Sequence, residues 1–592
     1  MKKSKTSSFP KMFAYLIRLF WQNQKFYLFA AVLIAGLAGF STAAVALFKQ
    51  WFFESVQAAA VGATSAQAAL FYGVLMAVVL ILSLLLGGVS ELFQFNLGMK
   101  LSGYLGRQVN DKSSKIDPIC FEDSTMLDDI NKAYKGVEGS REVFRVIIHN
   151  TMYYIPYFLF MSIYLFRIKP ILCLCLLLVA APNVINQVLS TRYYKKFEDA
   201  SAPIRRQYEY YERCITDREY ARETRLLGAF WFFRNLYETA VLLFAKKRWA
   251  TARKSELRMI SMRLVGLVAY ISVIVMLYYY LMDGSINVAI FAAVFTTMDQ
   301  MFNYVDWIGY GLFDIAQDTA SVYNTMRFLE LPERGGKDIE LNGDLIELKS
   351  ASFAYPNSNK NSLSDINLVI RKGETIAIVG ENGAGKSTLV KMMIGLYLPI
   401  EGETLIDGQN MRELSLASVY SGISAVFQKF QRYRMNLSDN ISISADENDD
   451  AKIREAATKA DLSPESDESF PQDYKTMLSR EFGGTDLSGG QWQRVALARG
   501  FYRAHNMIIL DEPTAAIDPI EETKLYKKFA EISQDKTSII VTHRLGSAKI
   551  ADRIVVMDSG KIVATGTHES LMQQEGLYFE MYNAQAQWYD AE

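Results

Sequence analysis

The sequence predicts a multidomain protein, in which an all-α domain of six transmembrane helices precedes an α/β domain of the P-loop ATPase type. Three observations predict this fold class. Long apolar segments fill the first half of the chain, a phosphate-binding motif occupies residues 380–388, and short apolar runs alternate with helical stretches after residue 345. A chain of 592 residues is also too long for a single hydrophobic core, so at least two domains are expected.

The composition favours a membrane protein and gives no indication of a nucleic-acid partner. Half of the residues are hydrophobic and only 21% are charged, which is an apolar balance. The 63 basic and 64 acidic residues leave a net charge of −1, without the positive excess that nucleic acids attract. The four cysteines form no zinc-binding pattern. Cys173 and Cys175 lie in an apolar run, which indicates burial in helix packing or lipid.

Six apolar segments are the candidate membrane spans. A helix needs about 20 apolar residues to cross a bilayer. The segments are 26–48, 68–90, 149–166, 170–191, 264–281 and 286–312. The sixth segment carries Asp299 and Asp306. Residues 8–24 precede the segments and mix aromatic with basic side chains at helical spacing, which predicts a helix on the membrane surface rather than a signal peptide.

The connections between the segments predict the orientation of the chain. Residues 91–148 and 192–263 are long and rich in Lys and Arg, as cytoplasmic loops are, although Arg167 and Lys169 in a short outer loop oppose the trend. Both termini and residues 380–388 then lie in the cytoplasm. Helices in loops of this length extend about 30 Å or more beyond the membrane. The two loops are either solvated helical hairpins or contacts that pass force to the ATPase domain.

A P-loop is the most specific motif in the chain. Its G-x-x-x-x-G-K-[ST] pattern follows an apolar, β-branched run at 375–379 and continues into a helix, which is the context that phosphate binding requires. The backbone N–H groups are expected to surround a phosphate, Lys386 to reach the β- and γ-phosphates, and the Ser387 hydroxyl to ligate Mg²⁺. The motif consists of Gly380, Glu381, Asn382, Gly383, Ala384, Gly385, Lys386, Ser387 and Thr388.

Two carboxylates end a predicted buried strand downstream of the P-loop. The run 507–510 is apolar, and Asp511 and Glu512 follow it at the carboxyl edge of the predicted sheet. Asp511 is expected to hold Mg²⁺, in part through water, and Glu512 to polarise the attacking water as a general base. A second apolar run, 538–542, ends at His543. The arrangement predicts hydrolysis of ATP with the help of Mg²⁺.

A second candidate phosphate site precedes the helix that begins at Trp492. Its glycines and a serine hydroxyl offer hydrogen-bond donors at a helix N-terminus, which favours an anion. The motif consists of Leu487, Ser488, Gly489, Gly490 and Gln491. Alone it is a weak signal, but together with a P-loop and an Asp-Glu strand it becomes highly specific.

With these motifs in this order, the chain resembles the ATP-binding cassette (ABC) transporters, in particular half-transporters of the exporter type. The resemblance covers nearly the whole chain and implies a type IV ABC exporter-like membrane domain followed by one ATPase domain. The implied organisation is a membrane-surface segment at 1–25, a transmembrane domain at 26–330, a linker at 331–344 and a nucleotide-binding domain at 345–592.

The resemblance implies roles for further residues of the ATPase domain. Tyr355 corresponds to the aromatic residue that stacks on adenine, and Gln428 to the catalytic glutamine of the Q-loop near Mg²⁺. His543 corresponds to the switch histidine that contacts the γ-phosphate. Asp518 stands at the D-loop position, which usually opens with Ser in the family and has Ala515 in this chain.

The resemblance also implies a second subunit. In this family the signature motif of one subunit, here 487–491, closes over the P-loop of the other, so one chain alone cannot complete an ATP site. The signature, Glu512 and His543 agree with the family pattern, so a homodimer has two working sites, and a heterodimer with another half-transporter is the alternative. Residues 121–133 and 222–228 occupy the places of the loops that couple the two domains.

Two stretches resemble a narrower group within the family. Residues 487–499 and 513–519 are similar to those of bacterial exporters of lantibiotics and related modified peptides. The expected location is therefore a bacterial cytoplasmic membrane, with the nucleotide-binding domain in the cytoplasm. No protease domain precedes the first apolar segment, so an exporter that also cleaves leader peptides is not expected.

Acidic residues in the apolar segments give an indication of the charge of the transported cargo. Asp299, Asn303 and Asp306 share one face of the sixth predicted helix, and Glu91 lies at the inner end of the second. Because ionised carboxylates that face lipid are costly, these groups should face the dimer interior and favour a cationic peptide or drug. Alternatively, they pair with Arg263 or cap helices. A lipid or multidrug flippase, or a regulator that moves no cargo, also stays open, whereas the fusion of both domains argues against an importer.

Overall fold

The computed structural model describes residues 9–445, 448–512, 529 and 536–589. The chain divides into two compact units. The helical unit contains the described residues of Met1–Lys112 and Asp128–Leu331, and the ATPase unit contains Ser113–Leu127 and the described residues of Pro332–Glu592. The boundary between the units falls after Leu331, the first residue of the predicted linker 331–344, and part of the first long loop belongs to the ATPase unit.

Long helices build the helical unit. They are α1 (Phe9–Ala60), α2 (Ala66–Lys115), α3 (Ser124–His149), α4 (Ile155–Ile168), α5 (Pro170–Thr216), α6 (Arg218–Leu226), α7 (Phe230–Met282) and α8 (Val288–Leu329). A π-helix, Asn150–Tyr154, joins α3 to α4, and a short 3-10 helix, Pro118–Glu122, follows α2. Nearly all residues of the six predicted apolar segments lie in these helices.

Four helical stretches of the described residues are long and apolar enough to cross a membrane. They are Pro10–Ala60, Ala66–Lys115, Asp129–Ile168 and Phe230–Met282. The helices α5 and α8, which contain the fourth and sixth predicted spans, are not among them. The chain is thus a membrane protein by the length and composition of its helices, and the count of six spans stays a prediction.

Helix α1 is interrupted at Gln24, whose φ of −150° and ψ of 50° are not helical. The interruption separates the predicted surface helix from the first apolar segment. Met12, Leu16 and Phe20 on the N-terminal side are fully buried, and the Phe20 ring stacks on Phe144 of α3 at 5.8 Å. The apolar face of this segment therefore packs inside the helical unit.

Two sheets form the ATPase unit. The strands β1 (Leu345–Phe353), β2 (Leu363–Arg371), β4 (Glu401–Ile406) and β5 (Gln409–Asn410) make an antiparallel sheet in the order β2-β1-β4-β5. The strands β3 (Thr375–Gly380), β6 (Ile423–Val426), β7 (Met507–Asp511), β8 (Thr537–Val541), β9 (Arg553–Asp558) and β10 (Lys561–Gly566) make the second sheet, in the order β10-β9-β3-β8-β7-β6. Its helices are α9 (Lys386–Met393), α10 (Leu416–Tyr420), α11 (Leu437–Ile441), α12 (Asp450–Lys459), α13 (Gly489–Tyr502), α14 (Leu545–Ala548), α15 (His568–Met572) and α16 (Leu577–Tyr589).

The strand order of the six-stranded sheet positions the predicted site. Strands β3, β8 and β7 are parallel neighbours, with Ala377 paired to Ile540 and Ile509 to Ile539. Parallel strands bring their carboxyl ends to one edge of a sheet, where ligands of open α/β sheets bind. The P-loop after β3, the acidic pair at the end of β7 and the residues after β8 therefore meet at this edge.

Candidate nucleotide-binding site

The P-loop has the backbone conformation that its glycines predict. Gly380, Gly383 and Gly385 have φ angles of 152°, 88° and 98°, a region in which residues with a side chain are strained. A Cβ atom on Gly380 would lie 2.3 Å from the carbonyl oxygen of Met557, and one on Gly385 would lie 3.0 Å from that of Ser362. The first and third glycines thus have no room for a side chain.

Two side chains at the start of α9 are held at the same edge. The Lys386 ammonium donates hydrogen bonds to the carbonyl oxygens of Gly380 (2.9 Å) and Glu381 (3.0 Å). The Ser387 hydroxyl donates to Oδ1 of Asp511 at 3.2 Å. A cation and a hydroxyl therefore stand at a helix N-terminus, whose dipole also favours an anion.

Asp511 is a buried carboxylate. Its exposed fraction is 3%, and burial raises the pKa of its carboxyl, while the hydrogen bond from Ser387 and the nearby Lys391 and Lys386 oppose the shift. An ionised carboxylate in this position gains strongly from a cation placed beside it, because burial without a partner is costly. Asp511 has the surroundings of a metal ligand.

Glu512 is strained and has two functional neighbours. Its φ of 49° lies in the left-handed region, and its N–H donates to the Val541 carbonyl at 3.0 Å. The side-chain amide of Gln428 donates a hydrogen bond to the Glu512 carboxylate, and His543 Nδ1 lies 3.7 Å from its other oxygen. Strain of this kind clusters at active sites. The structure thus brings together the three residues predicted to be catalytic.

His543 is supported by a residue that sequence reasoning missed. Gln585 on α16 donates from its side-chain amide to the His543 carbonyl oxygen and accepts a hydrogen bond from the Leu545 N–H at 2.9 Å. No motif marks Gln585, because its role depends on where the last helix docks.

A cavity of about 520 Å³ lies over the P-loop. Its lining includes the predicted residues Tyr355, Asn382, Gly383, Gly385, Lys386, Ser387, Thr388, Gln428 and Glu512. The hydroxyl groups of Tyr355 and Thr388 are 3.1 Å apart, which fixes the aromatic ring beside the P-loop. Gly380, Glu381 and Ala384 belong to the motif but not to the lining.

Four lining residues were not predicted. They are Asn361, Ser362, Ser559 and Gly560. The N–H of Gly560 donates to the carbonyl oxygen of Ala384 at 3.1 Å, so the turn between β9 and β10 contacts the P-loop directly. Asp-Ser-Gly at 558–560 is a recognisable turn signal. Only the placement of β9 next to β3 brings that turn to the site, and the sequence alone does not reveal this order.

The signature motif begins α13 away from this cavity. Ser488 is the N-cap. Its hydroxyl accepts a hydrogen bond from the Gln491 N–H, and Oε1 of the Gln491 side chain accepts one from the Ser488 N–H. The Gln491 amide also donates to Asp467 at 2.9 Å and to Ser469 at 2.8 Å. Hydrogen bonds, chiefly from the Ser469 backbone, lower the pKa of Asp467. Among the described residues, none of 487–491 lines the P-loop cavity.

The remaining predictions concern the D-loop and the two coupling segments. Asp518, expected in the D-loop, lies outside the described residues. Of the first coupling segment, 121–133, residues 121–127 belong to the ATPase unit, where Glu122 accepts a hydrogen bond from the Tyr397 hydroxyl. Ile119, just before the segment, contacts the hydrophobic core of that unit. Lys391 of α9 lies 3.8 Å from Glu122. The second coupling segment, 222–228, belongs to the helical unit.

The fold and the site define a P-loop ATPase joined in one chain to a set of long apolar helices. Residues 363–515 match the family described as ABC transporter. The subtilin transport ATP-binding protein SpaT of Bacillus subtilis is 32% identical over 511 residues, which are 83% of this chain and 80% of that protein. The chain therefore belongs to the ABC transporters, as an exporter-type half-transporter that couples ATP hydrolysis to transport.

The chain is also similar to a lipid flippase in sequence and to a solved ABC exporter in structure. An ATP-dependent lipid A-core flippase of Alkalilimnicola ehrlichii is 35% identical over 265 residues, which are 45% of each chain. The solved structure of a bacterial Atm1-family ABC exporter with ATP bound has a TM-score of 0.79, covers 95% of this chain and 99% of its own, and is 22% identical. The structural match extends the shared fold over both units.

Proposed function

We propose that this chain exports a cationic peptide across a bacterial cytoplasmic membrane, as a homodimer driven by ATP at two shared sites. The similarity to the subtilin transport protein carries the proposal, because it covers 83% of the chain. Residues 345–592 are less than half of the chain, so a match of this extent includes most of the helical part. Selectivity for cargo is expected in that part.

Export of a lipid is the alternative function. The lipid A-core flippase is slightly more identical, at 35%, but its match covers only 45% of this chain. An ATPase domain alone can supply a match of that length, and ATPase domains are shared by transporters of unrelated cargo. The longer match therefore favours a peptide.

At the ATPase site, we assign Glu512 the role of general base toward the water that attacks the γ-phosphate. The hydrogen bond from Gln428 supports this role, since it orients the carboxylate. We assign His543, 3.7 Å from Glu512, to the γ-phosphate, Lys386 to the β- and γ-phosphates, and Tyr355 to adenine.

The donors at the end of β7 fit Mg²⁺. This ion prefers oxygen ligands, and the Ser387 hydroxyl, the buried Asp511 carboxylate and the Gln428 amide oxygen provide them. The contact of 3.2 Å between Ser387 and Asp511 supports a common ligand position. Bound Mg²⁺ neutralises charge on the phosphates. We propose these three residues as its protein ligands, with Asp511 acting in part through water.

The absence of the signature motif from the described lining of the P-loop cavity supports a dimer. Of the described residues around the P-loop cavity, none comes from the signature at 487–491. We propose that the signature of a second copy completes each site, with Asp518 near the same interface. The basic loops 91–148 and 192–263 support a cytoplasmic position for the ATPase unit.

Reconstitution into liposomes tests the proposal. ATP-dependent uptake of a lysine-rich peptide, a fluorescent lipid and a cationic dye is measured in parallel. Peptide uptake is expected to exceed that of the lipid, and Glu512→Gln should reduce ATP hydrolysis by about 10²-fold or more while ATP still binds. Uptake of the lipid without uptake of the peptide would contradict the proposal that the cargo is a peptide. Unchanged ATP hydrolysis by the variant would contradict the proposed role of Glu512 as general base.

A further inference from the structure

A cavity of about 800 Å³ in the helical unit combines carboxylates with aromatic rings. Glu91 of α2, Glu142 of α3 and Asp314 of α8 contribute carboxyl groups to its wall. Apart from His149, Arg145 is the basic residue among the described residues that line it. The wall therefore holds more acidic than permanently basic side chains.

The charges on this wall do not cancel. Arg145 Nε and Nη2 each lie 2.9 Å from one oxygen of Glu142, and Arg141 Nε lies 3.3 Å from the other. Glu142 is thus neutralised by guanidinium groups. Within the described part of the chain, neither Glu91 nor Asp314 forms a hydrogen bond or an ion pair with another protein group. Arg145 also attracts the Asp314 carboxylate. The three carboxylates of the described wall nevertheless outnumber its one arginine, which leaves an acidic excess to attract a cation.

Exposed rings stand next to these carboxylates. The side chains of Phe95, Trp307 and Tyr310 line the cavity and are 60%, 65% and 51% exposed. An ammonium or guanidinium group over the face of such a ring is attracted by its quadrupole, and Trp gives the strongest effect. Rings beside a wall with an acidic excess thus suit a cation with an apolar stem.

A hydrogen-bonded cluster holds the deeper part of the wall in place. The Tyr153 hydroxyl lies 3.1 Å from the Thr42 hydroxyl and 3.2 Å from that of Tyr304, and Gln300 donates to Tyr304 at 2.9 Å. The Tyr154 and Tyr304 rings are 5.2 Å apart. Bonded hydroxyls fix the Tyr153 and Tyr304 rings, and a fixed wall loses little entropy when a ligand binds.

The π-helix Asn150–Tyr154 forms part of the same wall. Asn150, Tyr153 and Tyr154 all line the cavity, and Nδ2 of Asn150 is buried without a hydrogen-bond partner among the described residues. A π-turn inside an α-helical rod is rare and often occurs at a functional site. The irregular turn and the unpaired amide both coincide with the acidic, aromatic wall.

We propose that this cavity binds the cationic side chains of the exported peptide. The inference rests on the proposed peptide export and names the residues that select the cargo: Glu91 and Asp314 attract the charge, and Trp307 and Tyr310 contact its stem. The acidic wall differs from the one expected from sequence, because Asp299 and Asp306 are not among its lining residues.

Binding without ATP provides the first test. Full-length protein in neutral phosphatidylcholine nanodiscs is titrated against a fluorescent peptide of lysine and phenylalanine, and against the same peptide with every Lys replaced by Gln or by Glu. Fluorescence anisotropy is expected to give at least about 10-fold tighter binding for the lysine peptide than for the glutamine peptide. Equal binding of the two would overturn the proposal without any variant.

Variants locate the site. Glu91→Gln combined with Asp314→Asn should abolish the preference for lysine, and Trp307→Leu should weaken binding of the lysine peptide by about 3- to 10-fold. Asp299→Asn is the matched control, since it removes a carboxylate from α8 that does not line the cavity, and it should keep the preference. Nucleotide binding by each variant verifies its folding. A double variant that still prefers lysine would overturn the assignment.

The binding and transport experiments together test the peptide-binding cavity and the export function separately. Selective binding of the lysine peptide without ATP-dependent uptake into liposomes would remove the export proposal and leave the binding site. Uptake that is equally selective in the double variant would leave export and remove the site.

Discussion

At the scale of single residues, the buried carboxylate of Asp511 lowers the stability of the metal-free fold, although we propose that the same carboxylate is needed to bind Mg²⁺. A carboxyl whose pKa is raised by folding stabilises the fold below its unfolded pKa, and that contribution is lost as the pH rises through the folded pKa. Near pH 7 and without metal, ionised Asp511 therefore destabilises the ATPase unit. The Ser387 hydroxyl donates a hydrogen bond to Oδ1 of Asp511 at 3.2 Å.

We therefore expect Asp511→Asn to raise the melting temperature of the metal-free protein by roughly 2–4 °C at pH 7. The same substitution should remove the extra stabilisation by Mg²⁺ and ATP, and with it the hydrolysis of ATP. Scanning fluorimetry with and without Mg²⁺ measures both effects. The difference should shrink as the pH falls through the raised pKa of the wild-type carboxyl. A variant that melts lower than wild type at pH 7 without metal would contradict this account.

The central residues of the ATPase site were predictable because local spacing determines their positions. A P-loop fixes Lys386 and Ser387 relative to the strand before it, and a strand end fixes Asp511 and Glu512. Ser559 and Gln585 were not predictable. Their contacts with the site arise from strand order and from the docking of the last helix, which leave no local pattern in the sequence.

At the scale of elements, α1 and the π-helix approach each other more closely than side chains allow. A Cβ atom on Gly39 would lie 2.1 Å from the carbonyl oxygen of Tyr153, a backbone atom that cannot rotate away. One turn earlier, a Cβ on Gly36 would lie 3.7 Å from the Met152 carbonyl oxygen, which is ordinary contact. Only Gly39 is indispensable for this packing.

Gly39→Ala should therefore push α1 away from the π-helix and lower the melting temperature of the detergent-solubilised protein by several degrees, whereas Gly36→Ala should change it by about 1 °C or less. The helix propensity gained is the same in both variants, which makes them a matched pair. If both variants melt alike, the close packing at Tyr153 does not limit stability.

The sequence predicted the apolar part of each long helix better than its ends. Residues 264–281 form only the last part of α7, which begins at Phe230, because hydropathy marks the stretch suited to lipid and not the polar continuation of the helix. The π-helix left no signal at all. A single wide turn changes the helical period too briefly for a pattern to reveal it.

At the scale of the whole molecule, the proposed shared sites predict complementation between two inactive chains. Lys386→Ala removes the phosphate-binding ammonium, and Gly489→Asp places a negative charge where the signature is expected to meet phosphate. Asp is well tolerated in the first turn of a helix, so α13 should still form. Each variant alone should lose ATP hydrolysis.

A mixed dimer of the two variants has one site in which both motifs are wild type. Purified through two different affinity tags, it should recover up to about half of the wild-type ATPase rate per dimer. If each chain used its own signature, the mixed dimer would hold no intact site and would stay inactive. The double variant on one chain, paired with a wild-type chain, provides the control for subunit exchange.

The packing of Ser113–Leu127 on the ATPase unit also has a consequence for synthesis on the ribosome. Glu122 leaves the ribosome 275 residues before Tyr397, the residue that binds it in the folded protein. At elongation rates of about 5–20 residues per second, this separation corresponds to roughly 14–55 s. During that time Ile119 has no core to pack against. The early segment is therefore an exposed apolar site on every nascent chain, and its burial has to follow the completion of the ATPase strands.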